Sequence, residues 1–282
     1  MSSRLPGSIG LWILYAFTVV SLVGFATFGL HPELLASLSP ASLGFYAVSF
    51  RFFAIGQVWL AGLVLAVFLS RHVGLRWISS LVVVYSLSLA SELLGTTYGI
   101  PFGAYSYSTV LAPMWLDRVP TGIPLSWFYM ALPAYAFALH ALPRETRARS
   151  IIALGSLILL AWDLALDPAM SSATKYWVWG ETGPYYGMPL LNLFGWYVTG
   201  IVLMAAFTVL RSASWIRELP IRWLAGFYGA NLLLPLGMTI AAGMWGAAAL
   251  TLVVLLATWI VAWRLARPGF SSESVAMLRR IA

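Results

Sequence analysis

The stretch SIIALGSLILLAWDLALDP, residues 150–168, decides the fold. As far as Trp162 it is an almost unbroken apolar run, long enough with its neighbours to cross a bilayer as a helix. Asp163 and Asp167 then sit one helical turn apart near its end, with Pro168 behind them. A charged side chain at membrane depth costs about 2.5 kcal/mol or more, which makes an intramembrane carboxyl a functional candidate by default. Working outward, apolar spans recur near 9–29, 47–69, 75–94, 124–142, 190–210, 222–241 and 244–265. With 150–167 they make eight. The last two are parted only by Gly243-Met-Trp-Gly246, so seven is the alternative count. Composition agrees, with 61% hydrophobic and 9% charged residues in 282. The expectation is an all-α, polytopic transmembrane helix bundle of about eight helices, forming one integral membrane domain over 1–282.

The basic residues orient it. With eight spans, all of the 16 Lys and Arg except Arg51, Arg118 and Lys175 fall on one side, from Arg4, Arg71 and Arg76 to Arg279 and Arg280. An odd count would scatter this bias. The positive-inside rule then places both termini in the cytoplasm and the chain, multi-pass, in the inner cell membrane. The first span is expected to stay as a helix, and the basic tail Phe270–Ala282 to lie at the inner surface. The net charge of +7 is explained by topology and attraction to anionic membrane lipid, with no nucleic-acid partner.

Several chemistries drop out. The absence of cysteine removes disulfides, thiolate nucleophiles and thiolate metal sites. His31 lies on the opposite side from His72 and His140, so a histidine-held metal is not expected. Lys175, the single lysine, falls in a loop and not within a helix. No Gly-rich nucleotide fingerprint is present, and no strands are expected. Neither metal nor cofactor is called for.

Polar residues gather in one half of the bundle. Tyr85, Ser88 and Glu92 form one helical stripe, Ser156, Asp163 and Asp167 another, and Asn192, Trp196 and Thr199 a third. Each would be costly against lipid, so all three should face inward around a polar-floored cavity. Arg51 sits about a turn inside the second span, in the same half. The bland readings are that Asp167 merely ends a helix before Pro168, that Asp163 pairs structurally with Arg51, and that Glu92 snorkels to the interface. The loops near 95–123 and 168–189 lie on the same side and are rich in Gly, Pro, Tyr and Trp. They read either as an interfacial aromatic belt or as ordered caps over a site.

Certain segments also carry a resemblance. These are Ser91-Glu92-Leu93-Leu94-Gly95, Tyr98-Gly99, Phe102-Gly103-Ala104-Tyr105-Ser106-Tyr107 and Asp163-Leu164-Ala165-Leu166-Asp167-Pro168. Trp177-Val178-Trp179, Tyr185-Tyr186-Gly187-Met188-Pro189, Asn192 and Gly195-Trp196 complete the set. Together, over roughly 85–200, they resemble the carotenoid biosynthesis membrane family that includes carotenoid 1,2-hydratases and bisanhydrobacterioruberin hydratase. The resemblance implies addition of water to the terminal double bond of an acyclic carotenoid end group, giving a tertiary alcohol. It implies no cofactor, and as partners an acyclic or monocyclic carotenoid such as lycopene, water and membrane lipid. It leaves room for other carotenoid biosynthesis enzymes.

On that reading the carboxyls are Glu92, Asp163 and Asp167. A buried acid would protonate the alkene at its less substituted carbon, and water would capture the tertiary cation. Asp163, the deepest, is the expected donor, and Asp167 or Glu92 orients the water. Tyr98, Tyr105, Trp127 and Trp196 are candidates to stabilise the cation through their ring faces. Arg51, Trp179 and Asn192 complete the expected substrate site. Rival readings are a membrane prenyltransferase, an end-group cyclase, and a carotenoid carrier without catalysis.

Overall fold

The computed structural model describes residues 7–144 and 146–266. Arg4, Arg267, Arg279, Arg280 and the tail from Phe270 lie outside the described residues. Helix α1 (Gly7–Gly24) runs into a π-helical turn, Phe25–Gly29, and is followed by the short α2 (Pro32–Ala36). Helix α3 (Pro40–Val73) begins at Ser39, whose hydroxyl accepts the Ser42 N–H at 3.2 Å, with Pro40 in the first turn. That cap starts the helix well before the expected apolar span at 47, so α3 overhangs by nearly two turns. Helix α4 (Ile78–Tyr98) stops at Gly99, whose φ of +74° is the left-handed conformation that ends helices.

The next loop holds strands β1 (Tyr105–Tyr107), β2 (Met114–Trp115) and β3 (Val119–Pro120). Helices α5 (Gly122–Ala141) and α6 (Ala148–Asp167) follow. Proline has no N–H to continue the ladder, and at Pro168 the backbone passes into a second π-helical turn, Pro168–Ala173. Strand β4 (Trp177–Trp179), α7 (Leu190–Val209), α8 (Ala213–Ile216), α9 (Ile221–Ala241) and α10 (Trp245–Ala266) complete the chain.

Eight helices among the described residues are long and apolar enough to cross a membrane: α1 and α6 with their π turns, and α3, α4, α5, α7, α9 and α10. Burial ranks them. The apolar window of α5 is 72% buried and that of α6 67%, against 17% for α1 and 28% for α10. So α5 and α6 form the centre. Helix α6 packs on α5, α7 and α10, while α1 packs on α3 and α9.

At one end, Arg76 forks onto Glu218 with both contacts at 3.0 Å, Ser80 bonds Ser212 at 2.8 Å, and Arg217 donates to the Leu139 carbonyl at 2.9 Å. These contacts tie the basic loops together.

The opposite end corrects the expectation of no strands. β1 pairs antiparallel with β4, and β2 with β3. The physical reason is backbone satisfaction: loop peptides seated on a membrane helix bundle still need partners, and pairing the loops supplies them. The β1–β4 ribbon is lengthened by Ser108 N–H to Tyr176 O at 2.8 Å and Gly180 N–H to Ala104 O at 2.7 Å.

Candidate active site

The ribbon positions four aromatic side chains by simple alternation. Tyr105 stands opposite Trp179 and Tyr107 opposite Trp177, all turned toward the bundle. Between them Ser106 and Val178 face outward and are exposed. Two glycines let the loop come this close. A Cβ on Gly95 of α4 would lie 2.8 Å from Phe102, and one on Gly195 of α7 would lie 2.6 Å from Phe102 and 2.7 Å from the Pro101 carbonyl. Phe102 is therefore wedged between α4 and α7, holding the ribbon over the helix ends.

Beneath the ribbon the three carboxyls are buried: Glu92 is 4% exposed, Asp163 0% and Asp167 1%. Three donors converge on Glu92. The Tyr105 hydroxyl and the Tyr107 hydroxyl, the latter at 2.8 Å, donate to Oε2, and Trp127 Nε1–H donates to Oε1 at 2.8 Å. Three also reach the Asp167 carboxyl. Trp177 and Trp179 donate to Oδ1 at 3.2 and 3.3 Å, and Asn192 Nδ2 to Oδ2 at 2.7 Å.

The same Asn192 nitrogen lies 3.2 Å from Asp163 Oδ2 and 2.9 Å from the Met188 sulfur. Its two hydrogens cannot serve three acceptors at once, so the amide couples the aspartates loosely. Asp163 Oδ1 is buried without a hydrogen-bond partner.

The phenols respond to this cluster. Burial pushes the Tyr105 hydroxyl well above the usual tyrosine value, helped by the charge of Glu92 and then of Asp167. Burial does the same to Tyr107, again with Glu92 adding to it. Tyr185 is raised by burial first and by Asp163 next. All three stay neutral hydrogen-bond donors across the ordinary pH range.

Two spaces that share walls lie beside Glu92 and Asp167. Glu92, Asp167, Tyr105, Tyr107, Asn192 and Trp196 are among the walls of a polar chamber of about 40 Å³. An apolar cavity of about 480 Å³ lies beside it, bounded by α1, α3, α5, α6 and α9, with Phe28, Phe50, Tyr129 and Leu234 among its walls. Ile123, Ser126, Leu166 and Trp177 line both.

The structure thus brings together Glu92, Asp163, Asp167, Tyr105, Trp127, Trp179, Asn192 and Trp196, the last stacked on Trp127 with ring centroids 3.9 Å apart. It does not bring in Arg51 or Tyr98. Phe50, Phe53, Ala54 and Gln57 carry the cavity-facing stripe of α3, and Arg51 falls off it, exposed and unpaired with any of the three carboxyls. Tyr98 ends α4 and is 73% exposed. Asp163, expected to touch substrate, lines neither space.

Asp167 does end its α-helix, as the bland reading held, yet its side chain still enters the cluster. The polar stripes all turn inward, but Ser156 bonds the Ile152 carbonyl, and Thr199 bonds Ser91, away from the chamber. Sequence reasoning passed over Tyr107 and Trp177. Their i, i+2 spacing from Tyr105 and Trp179 was the available signal. Among the described residues no three His, Cys, Asp or Glu side chains are grouped so as to hold a metal ion.

Comparison with known proteins adds the following. The family model described as a carotenoid biosynthesis protein matches residues 53–258. That range contains every member of the cluster. The chain is 34% identical over 195 residues to bisanhydrobacterioruberin hydratase of Haloarcula japonica, an alignment covering 67% of this chain and 62% of that protein. The chain therefore matches less than two thirds of the length of that relative. No solved structure matches.

Proposed function

Since the chain belongs to the carotenoid biosynthesis protein family, we propose that it is a carotenoid hydratase, adding water to the terminal 1,2 double bond of an acyclic end group. The observation that carries this reading is the pairing of an apolar cavity with a carboxyl-lined chamber through shared walls. A cavity of 480 Å³ lies in the range of sites for small apolar molecules, and the substrate is an acyclic or monocyclic carotenoid such as lycopene. Such a substrate dissolves in lipid, and the multi-pass bundle meets it there. The inner cell membrane, with both termini in the cytoplasm and the site at the outer face, is part of the same proposal.

The roles follow from hydrogen bonding. Glu92 receives three donors, the surroundings of an ionised carboxylate, and serves as the base that orients water and takes its proton. Asp163 has one donor and one orphaned oxygen, the surroundings of a carboxyl that keeps its proton. Because Asp163 lines neither space, Asp167 delivers the proton to the alkene. Its indole contacts are long, at 3.2 and 3.3 Å, and its amide donor is shared with Asp163, so it is held as an anion less firmly than Glu92, and Asp163 positions it through the Asn192 amide. This moves the donating atom one turn outward from the sequence-based expectation. The indole of Trp177, which lines both spaces, is placed to stabilise the developing cation. Expression in a host that makes an acyclic carotenoid tests the function. Pigment heavier by one water is expected, and unchanged pigment, or a cyclised isomer of equal mass, refutes it.

A further inference from the structure

The two spaces differ too much in size and lining to hold the same thing. A dry cavity that admits benzene measures roughly 150 Å³, whereas a water occupies about 30 Å³ in the liquid and needs two to four polar partners. The 40 Å³ chamber cannot take a branched hydrocarbon end, and its carboxyl and phenol walls suit water. The 480 Å³ cavity takes the chain and offers it little but apolar surface. Ser126 is the smallest of the four residues in the wall they share, 8% exposed, its hydroxyl committed to the Ile123 carbonyl at 2.7 Å. It contributes small size to that shared wall and no free donor.

We propose that the nucleophilic water is held in the chamber while the alkene waits in the apolar cavity, and that they react across a mouth at Ser126. This rests on the hydratase reading above. Asp167 and the chamber water then approach the double bond from the same side. The π electrons take the Asp167 proton to form the C–H bond at the less substituted carbon. The tertiary cation gains a C–O bond from the water, and Glu92 accepts the proton that leaves the oxygen. Alkene and water are consumed, alcohol forms, and a following water carries the proton from Glu92 back toward Asp167. The addition is therefore syn, and the width of the mouth sets whether the cation is captured or collapses back to alkene.

Two measurements on the full-length protein test this. The first uses the wild type in deuterium oxide, with an acyclic substrate carrying a carbon label in one terminal methyl. Syn addition of deuterium and hydroxyl is expected, and anti addition overturns the proposal. The second uses Ser126→Leu, which narrows the mouth. Among products that have gained deuterium, the alcohol share should fall at least tenfold in favour of deuterated or isomerised alkene. An unchanged share overturns the role of the mouth. If Ser126→Leu does not fold, the stereochemical result alone decides. Failure of the hydratase reading looks different, since the wild type would then form no alcohol.

Discussion

Glu92 is the residue on which the proposed chemistry turns, because its carboxylate is held by three donors from two elements. Glu92→Gln keeps the volume but removes the base and sets an amide N–H against donors. General acid–base groups contribute about 100- to 10,000-fold, so turnover is expected to fall by at least 100-fold. Tyr107→Phe leaves Tyr105 and Trp127 in place and should cost far less. Equal losses in pigment-conversion rates would remove Glu92 from the role of base. Asp163→Asn, with the protein still folded in the membrane, should abolish hydration by disturbing the Asn192 amide that positions Asp167, and a retained rate would contradict that role. These acids were legible in the sequence because a carboxyl inside an apolar run has few structural excuses. Arg51 satisfied the same argument and misled, since depth along a helix says nothing about which face a residue occupies.

Among the elements, the β1–β4 ribbon is the one that periodicity did not disclose. Three-residue strands carry too little pattern to stand out from a loop, and their pairing joins segments some seventy residues apart. Tyr98 looked equivalent to Tyr105 for the same reason, until pairing fixed which rings turn inward. The ribbon depends on close approach at Gly195. Gly195→Ala forces Phe102 and the Pro101 backbone to move, an overpacking cost of typically about 1–3 kcal/mol. A lower thermal midpoint, together with loss of activity larger than that of the exposed Val178→Thr, is the expected result.

The ribbon is expected to lose stability in alkali. The folded protein holds the Tyr105 and Tyr107 protons well above the ordinary value near 10, whereas the unfolded chain releases them there. Their contribution to stability is complete at neutral pH and is lost as pH climbs past about 10. Tyr105→Phe should flatten that loss in a stability–pH profile, and an unchanged slope would exclude the phenols as its source.

At the scale of the whole molecule, the eight spans and the segregation of charge were readable because bilayer thickness and backbone satisfaction leave few alternatives. The partition into a polar chamber and an apolar cavity was not, since it arises from helices packed far apart in sequence. The orientation proposed for the bundle is open to direct test, because the chain has no cysteine to confuse labelling. A cysteine at the exposed Ser106 should react with an impermeant reagent in intact cells, and one at the exposed Ser214 only after the membrane is opened. The reverse pattern would invert the topology. The most direct test of the acid cluster as a hydration site is incubation of the purified protein with an acyclic carotenoid in heavy-oxygen water. The account predicts an alcohol bearing one heavy oxygen from wild type and none from Glu92→Gln. Recovery of unchanged carotenoid from the wild type, or a labelled alcohol formed equally well by the variant, would contradict it.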